Sequence, residues 1–158
     1  MKKISKNARL FLLSIFIIIV VNLIGAGFTQ PSIEGWYNNL VKPSFNPPSW
    51  LFMPAWLFLY FLIALSLFLV LRKDHPKKKQ SLWIFGIQLV LNSLWSVIFF
   101  GLHLPLIAFI EIIFLWIFIL LTMIWFYKID KDAAFLLIPY LMWVSFASVL
   151  NFAIYYLN

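Results

Sequence analysis

Five long, mostly apolar runs decide what this chain can fold into. They cover approximately residues 10–28, 50–71, 82–102, 104–127 and 133–157. A helix needs about 20 mostly apolar residues to cross a hydrocarbon core of about 30 Å, and each run meets that length. Strands are the poorer alternative. A membrane-spanning strand alternates polar and apolar positions, whereas a run such as LFLLSIFIIIVV does not. The predicted class is therefore all-α, a polytopic membrane bundle of five transmembrane helices forming a single domain over 1–158.

Composition agrees. Hydrophobic residues make up 65% of the chain and charged residues only 11%, against an apolar usage of about 45–50% in soluble domains. There is no cysteine, which excludes disulfides, thiolate nucleophiles and Cys-ligated metals. The basic start MKKISKNAR resembles a signal-peptide n-region. The apolar run behind it is longer than a usual h-region, however, and no A-x-A-like site follows it, so an uncleaved first helix is expected.

The net charge of +7 is a topology signal. Lys2, Lys3, Lys6 and Arg9 precede the first run. Arg72, Lys73, Lys77, Lys78 and Lys79 fill the second connection, and Lys128 and Lys131 the fourth. Only Lys42 falls on the other side. The positive-inside rule then predicts a cell-membrane protein with a cytoplasmic N-terminus and an outside C-terminus. A solvated inner loop is the expected role of RKDHPKKK, and nucleic acid is not an expected partner.

The longest outside connection, expected as an ordered loop over 30–49, contains GWYNNLVKPSFNPPSW. Pro43, Pro47 and Pro48 restrict the backbone and favour extended neighbours. Trp36, Tyr37 and Trp50 read either as an interfacial aromatic belt or as a stiff lid over something buried. Polar side chains inside the spans say what that is. Intramembrane polar groups are costly and face the bundle interior. Gln88, Asn92, Trp95 and Phe99 share one helical face of the third span. Tyr140, Trp143, Ala147, Leu150 and Asn151 form a similar stripe in the fifth. Trp56 and Tyr60 lie one turn apart in the second. Asn22, Gly25, Ala26 and Thr29 give the first a small, polar face. Each stripe alone also reads as packing glue. Four stripes, biased toward the outer halves, frame an aromatic cavity with a few placed polar groups, as ligand sites do.

Other chemistries find little support. His75 and His103 fall in loops, and Met53, Met123 and Met142 lie on scattered faces, so no axial haem ligation and no metal site are expected. No Ser/His/Asp set and no carboxylate pair fits within the spans. Glu111 is the one acid inside a span, and reads either as a functional carboxyl or as a structural hydrogen-bonding group. No internal repeat or pair of broken helices points to a secondary transporter.

The segments WYNNLVKPSFNPP, QLVLNSLW with FFG soon after, and LLIPYLMWVSFASVLN come in this order across the five spans. Together they resemble the translocator protein family, also called TspO, tryptophan-rich sensory protein or peripheral-type benzodiazepine receptor. The resemblance implies a homodimeric five-helix membrane bundle. Its pocket, capped by the first loop, binds porphyrins such as protoporphyrin IX, as well as isoquinoline carboxamide and benzodiazepine-type drugs. It implies no obligatory cofactor. By motif it carries pocket roles to Ala26, Tyr37, Trp56, Asn92, Trp95, Trp143, Ala147 and Leu150. Gln88, Tyr60 and Phe99 join them from the stripes. Some bacterial relatives degrade porphyrin under light and oxygen. For that alternative Trp56 and Trp143 are the expected redox participants. Two departures stand out. Glu111 replaces the usual Asp, and the C-terminal sterol motif of mammalian members is absent, because Tyr155 and Tyr156 are followed only by Leu157 and Asn158.

Overall fold

The computed structural model describes residues 5–158, so Lys2 and Lys3 lie outside the described residues. The helices are α1 (Lys6–Ser32), α2 (Ser49–Leu71), α3 (Lys78–Ser96), α4 (Pro105–Tyr127), α5 (Lys131–Phe135) and α6 (Ile138–Leu157). Short connections make sequence neighbours antiparallel. Five segments are long and apolar enough to cross a membrane: Lys6–Tyr37, Ser49–Leu71, Lys78–Gly101, Pro105–Tyr127 and Lys131–Leu157. The alternation collects Lys6, Arg9, Arg72, Lys73, Lys77, Lys78, Lys79, Lys128 and Lys131 at one end of the bundle, here the basic end. The other end carries the 40–48 loop and is the lid end.

The first helix is longer than the apolar run predicts. Pro31 lies inside α1, and a π turn, Ile33–Tyr37, continues it. The expected 30–49 loop is thus helical over its first part, including Trp36 and Tyr37, and only its remainder is a loop. Proline costs a helix one backbone bond and crowds the preceding turn. A widened turn just beyond it keeps the chain helical while re-aiming its side chains. α3 ends in a second π turn, Val97–Gly101. The fifth span is broken rather than continuous, α5 giving way to α6 at Leu136–Leu137. Pro139 has no N–H for the carbonyl one turn back, so the backbone turns before it. Ser66 of α2 holds the short α5 by donating to the Ala133 carbonyl at 2.7 Å.

Lipid removes the usual hydrophobic drive between helices, leaving close packing and interhelical hydrogen bonds. Gly25 lets α1 pack close to the end of α3. A Cβ there would lie 3.3 Å from Ser96 Oγ. Gly25→Val should wedge the two helices apart and cost about 1–2 kcal/mol, read as a lower thermal midpoint in detergent. At the basic end Lys73 pairs with Asp130 at 3.2 Å, and the Asp130 side chain is only 7% exposed. Asp130 also caps α5 by accepting from the N–H groups of Asp132 and Ala133. Burial works to raise its pKa, but Lys73 and the two N–H groups hold it below the ordinary carboxylate value. A depressed carboxyl stabilises the fold above its unfolded pKa, about 3.9, and that contribution disappears as pH falls through the folded value. Unfolding midpoints should therefore drop in acid for the native chain, with a smaller acid-induced drop in Asp130→Asn.

Two buried clusters make up the core. The larger runs from the basic end to mid-bundle around Ile63, Phe126 and Tyr140. The smaller sits at the lid end around Tyr37, Phe99 and Ile154.

Candidate ligand-binding cavity

A cavity of about 580 Å³ lies in the lid-end half of the bundle, walled by α1, α2, α3 and α6 and roofed by the turn after α1. Its size falls within the roughly 300–1,000 Å³ usual for small-molecule sites. Its walls are aromatic. Trp95 and Phe99, one turn apart on α3, stack at 5.1 Å and 17°. Trp56 and Tyr60 do the same on α2, at 5.2 Å and 28°. Trp143 of α6 meets Phe52 edge to face.

The predicted site residues divide in two. Ala26 and Tyr37 from the first span, Trp56 and Tyr60 from the second, and Trp95 and Phe99 from the third all line the cavity. Trp143, Ala147 and Leu150 line it from α6. Gln88 and Asn92 do not; they are buried behind the wall, 1% and 4% exposed. Tyr60 Oη donates to Asn92 Oδ1 at 2.9 Å, Asn92 Nδ2 donates to Tyr140 Oη at 2.9 Å, and Tyr140 donates to Gln88 Oε1 at 3.1 Å. Helical periodicity places Asn92 on the right face, but two neighbouring helices, α2 and α6, each supply a hydroxyl that engages its amide. The Trp95 indole is likewise engaged, donating to Asn151 Oδ1 at 3.0 Å, while Asn151 donates to the Pro105 carbonyl. These hydrogen bonds tie α2, α3, α4 and α6 together, and of the groups in them Tyr60, Trp95 and Asn151 also line the cavity.

The structure adds cavity residues that the sequence reading left out, among them Gln30, Phe52, Met53 and Ser96. Gln30 lies one turn beyond Ala26, and its signal was hidden by treating 30–49 as a loop. Glu111 is buried in α4 and is not among the cavity residues, with neither carboxyl oxygen bonded to another described residue.

The roof is well held. Tyr37 is 3% exposed and donates to Asn46 Oδ1 at 2.7 Å, and Asn46 donates to the Pro47 carbonyl. Trp36 stacks on His103 at 4.4 Å and meets Phe99 edge to face. His103 adopts a left-handed backbone, φ 57°, a conformation uncommon outside glycine but one that histidine takes more readily than most side chains. Trp50, by contrast, is 71% exposed. Lys42 lies over the Tyr37 ring and donates to the Asn38 and Leu40 carbonyls, closing the end of the first helical segment.

The TspO/MBR family model matches residues 14–157. The chain belongs to the TspO/MBR family. It is 44% identical to the tryptophan-rich protein TspO of Chlorobaculum tepidum, over 98% of this chain and 99% of that one. It is 39% identical to the tryptophan-rich sensory protein of Cereibacter sphaeroides, over 79% and 78% of the two chains. It is 30% identical to the translocator protein of Bos taurus, over 82% and 78%. Membership of the TspO/MBR family and the five spanning helices make this an integral membrane protein, related to both the bacterial and the mammalian branches.

Proposed function

We propose that the protein is a membrane receptor for a flat tetrapyrrole of the protoporphyrin IX type, held in the lid-end cavity. The observation that carries the reading is the pair of stacked aromatic walls, Trp95–Phe99 on α3 and Trp56–Tyr60 on α2. A porphyrin is a wide π system, and aromatic faces recognise it by offset stacking and by burial of its apolar area. No obligatory cofactor enters this reading. The basic end faces the cytoplasm of a cell-membrane protein by the positive-inside rule, and the family resemblance extends the proposal to a homodimer.

The test is a titration of purified protein in detergent, first in the dark. Protoporphyrin IX should quench tryptophan fluorescence saturably, and absence of quenching would overturn the reading. Illumination of the same sample in air addresses the alternative, light- and oxygen-dependent porphyrin degradation. Trp56 and Trp143 favour it, because both redox-capable rings line the cavity. A new bilin-like absorbance that disappears in Trp143→Phe would establish turnover. Bleaching equal to that in empty detergent would exclude it.

A further inference from the structure

Phe11 of α1 and Phe68 of α2 meet edge to face near the basic end, with ring centroids 5.5 Å apart. Asn22 lies eleven residues beyond Phe11 toward the lid end, and Leu57 eleven residues before Phe68. About eleven residues make three helical turns, so Asn22 shares a face with Phe11, and Leu57 with Phe68. These two faces touch near the basic end. Toward the lid end both Asn22 and Leu57 line the cavity. Leu57, Met53 and Trp50, all on α2, remain 56%, 58% and 71% exposed while forming cavity wall. A residue that both lines a cavity and faces the outside marks its opening. This cavity therefore opens sideways, between α1 and α2, toward lipid.

The roof, in contrast, is tied down on its α3 and α6 sides. The Val41 N–H donates to Asn158 Oδ1 and the Val41 carbonyl accepts from Asn158 Nδ2, both at 3.0 Å, joining the lid loop to α6. The Tyr37–Asn46 bond and the Trp36–His103 stack also hold it.

The opening is also where the spare polar groups lie. The side-chain hydrogen bonds of α1 are made by Ser14, Thr29 and Ser32, and Asn22 and Gln30 make none among the described residues. Both line the cavity. They are two turns apart on one face, about 12 Å along the axis. An amide left without a partner in hydrocarbon is costly, and a ligand's polar edge would relieve that cost.

We propose that ligands enter this cavity from the lid-end leaflet through the gap between α1 and α2, and that Asn22 and Gln30 hold the ligand's polar edge there. The ligand's class rests on the tetrapyrrole reading above; the entrance does not. The absence of native cysteine allows a clean test of the entrance. Ala26→Cys protein in liposomes is treated with N-dodecylmaleimide, which partitions into the bilayer, or with a membrane-impermeant sulfonated maleimide, and adducts are read by mass spectrometry. The bilayer-borne reagent should label Ala26→Cys, the water-borne reagent should not, and adding Leu57→Trp should abolish labelling. Equal or preferential labelling by the sulfonated reagent, or labelling by neither, overturns the entrance. In a second arm, protoporphyrin IX and its dimethyl ester are compared on the native chain, Asn22→Leu and Gln30→Leu. Each substitution should weaken the free acid relative to the ester by about tenfold, the worth of one hydrogen bond to a charged group. An unchanged ratio in both overturns the role of the two amides. No porphyrin quenching at all, alongside the expected labelling, would refute the tetrapyrrole reading and leave the entrance standing.

Discussion

Replacing Asn92 with leucine should destabilise the protein by ~3 kcal/mol, the largest stability loss expected from a single polar-to-apolar change in this bundle. Asn92 accepts from Tyr60 and donates to Tyr140, so one substitution strips a partner from two tyrosine hydroxyls. Tyr140 is fully buried. The Tyr60 hydroxyl loses its only acceptor in a wall that gives it no substitute. Asn92 itself does not line the cavity, so the effect on ligand affinity should be secondary to the effect on stability. Thermal or SDS-induced unfolding in detergent reads the first, and porphyrin titration of the surviving folded fraction reads the second. Rescue of stability by the further change Tyr60→Phe, which removes the stranded hydroxyl, would locate the cost in that hydrogen bond. Unaltered stability in Asn92→Leu would mean that the network adds nothing to the fold.

Trp143→Ala should weaken protoporphyrin IX binding by at least about tenfold, because removing one aromatic platform from a stacked ligand costs about 1–3 kcal/mol. Trp143 is the better choice for this measurement than Trp95. The Trp95 indole bonds to Asn151, which in turn bonds to the first carbonyl of α4, so its loss would disturb three helices. Trp143 makes no side-chain hydrogen bond among the described residues; it packs against the core and meets Phe52 and Phe146 through ring contacts. Its truncation should lower the unfolding midpoint less than that of Trp95, and affinity should fall in the protein that remains folded. Full-strength quenching in Trp143→Ala would remove the α6 wall from the site.

The stripes on the four cavity-forming spans show how far periodicity reaches. A 3.6-residue repeat reports which face of a helix turns inward, and it placed Trp56, Trp95, Trp143 and Ala147 on the faces that line the cavity. It says nothing about what stands opposite. Asn92 and Trp95 share one face of α3, yet one is consumed by tyrosines from α2 and α6 while the other presents its ring to the hollow. Leu136–Leu137 and the Trp36–Tyr37 turn teach a related lesson. Apolar length locates a span, but proline and the neighbouring helices decide where within it the backbone breaks or widens.

By itself, the sequence determined the solvent and the helices: long apolar runs have no stable alternative to spanning a bilayer, since every backbone polar group there must be satisfied within its own segment. The distribution of lysine and arginine likewise determined which helix ends lie together. Tertiary structure alone decided which polar groups remain available and where the cavity opens. Both depend on how residues on different helices are placed, such as the contact of Phe11 with Phe68 and the cavity shared by Asn22 and Leu57, and no pattern along a single helix encodes them.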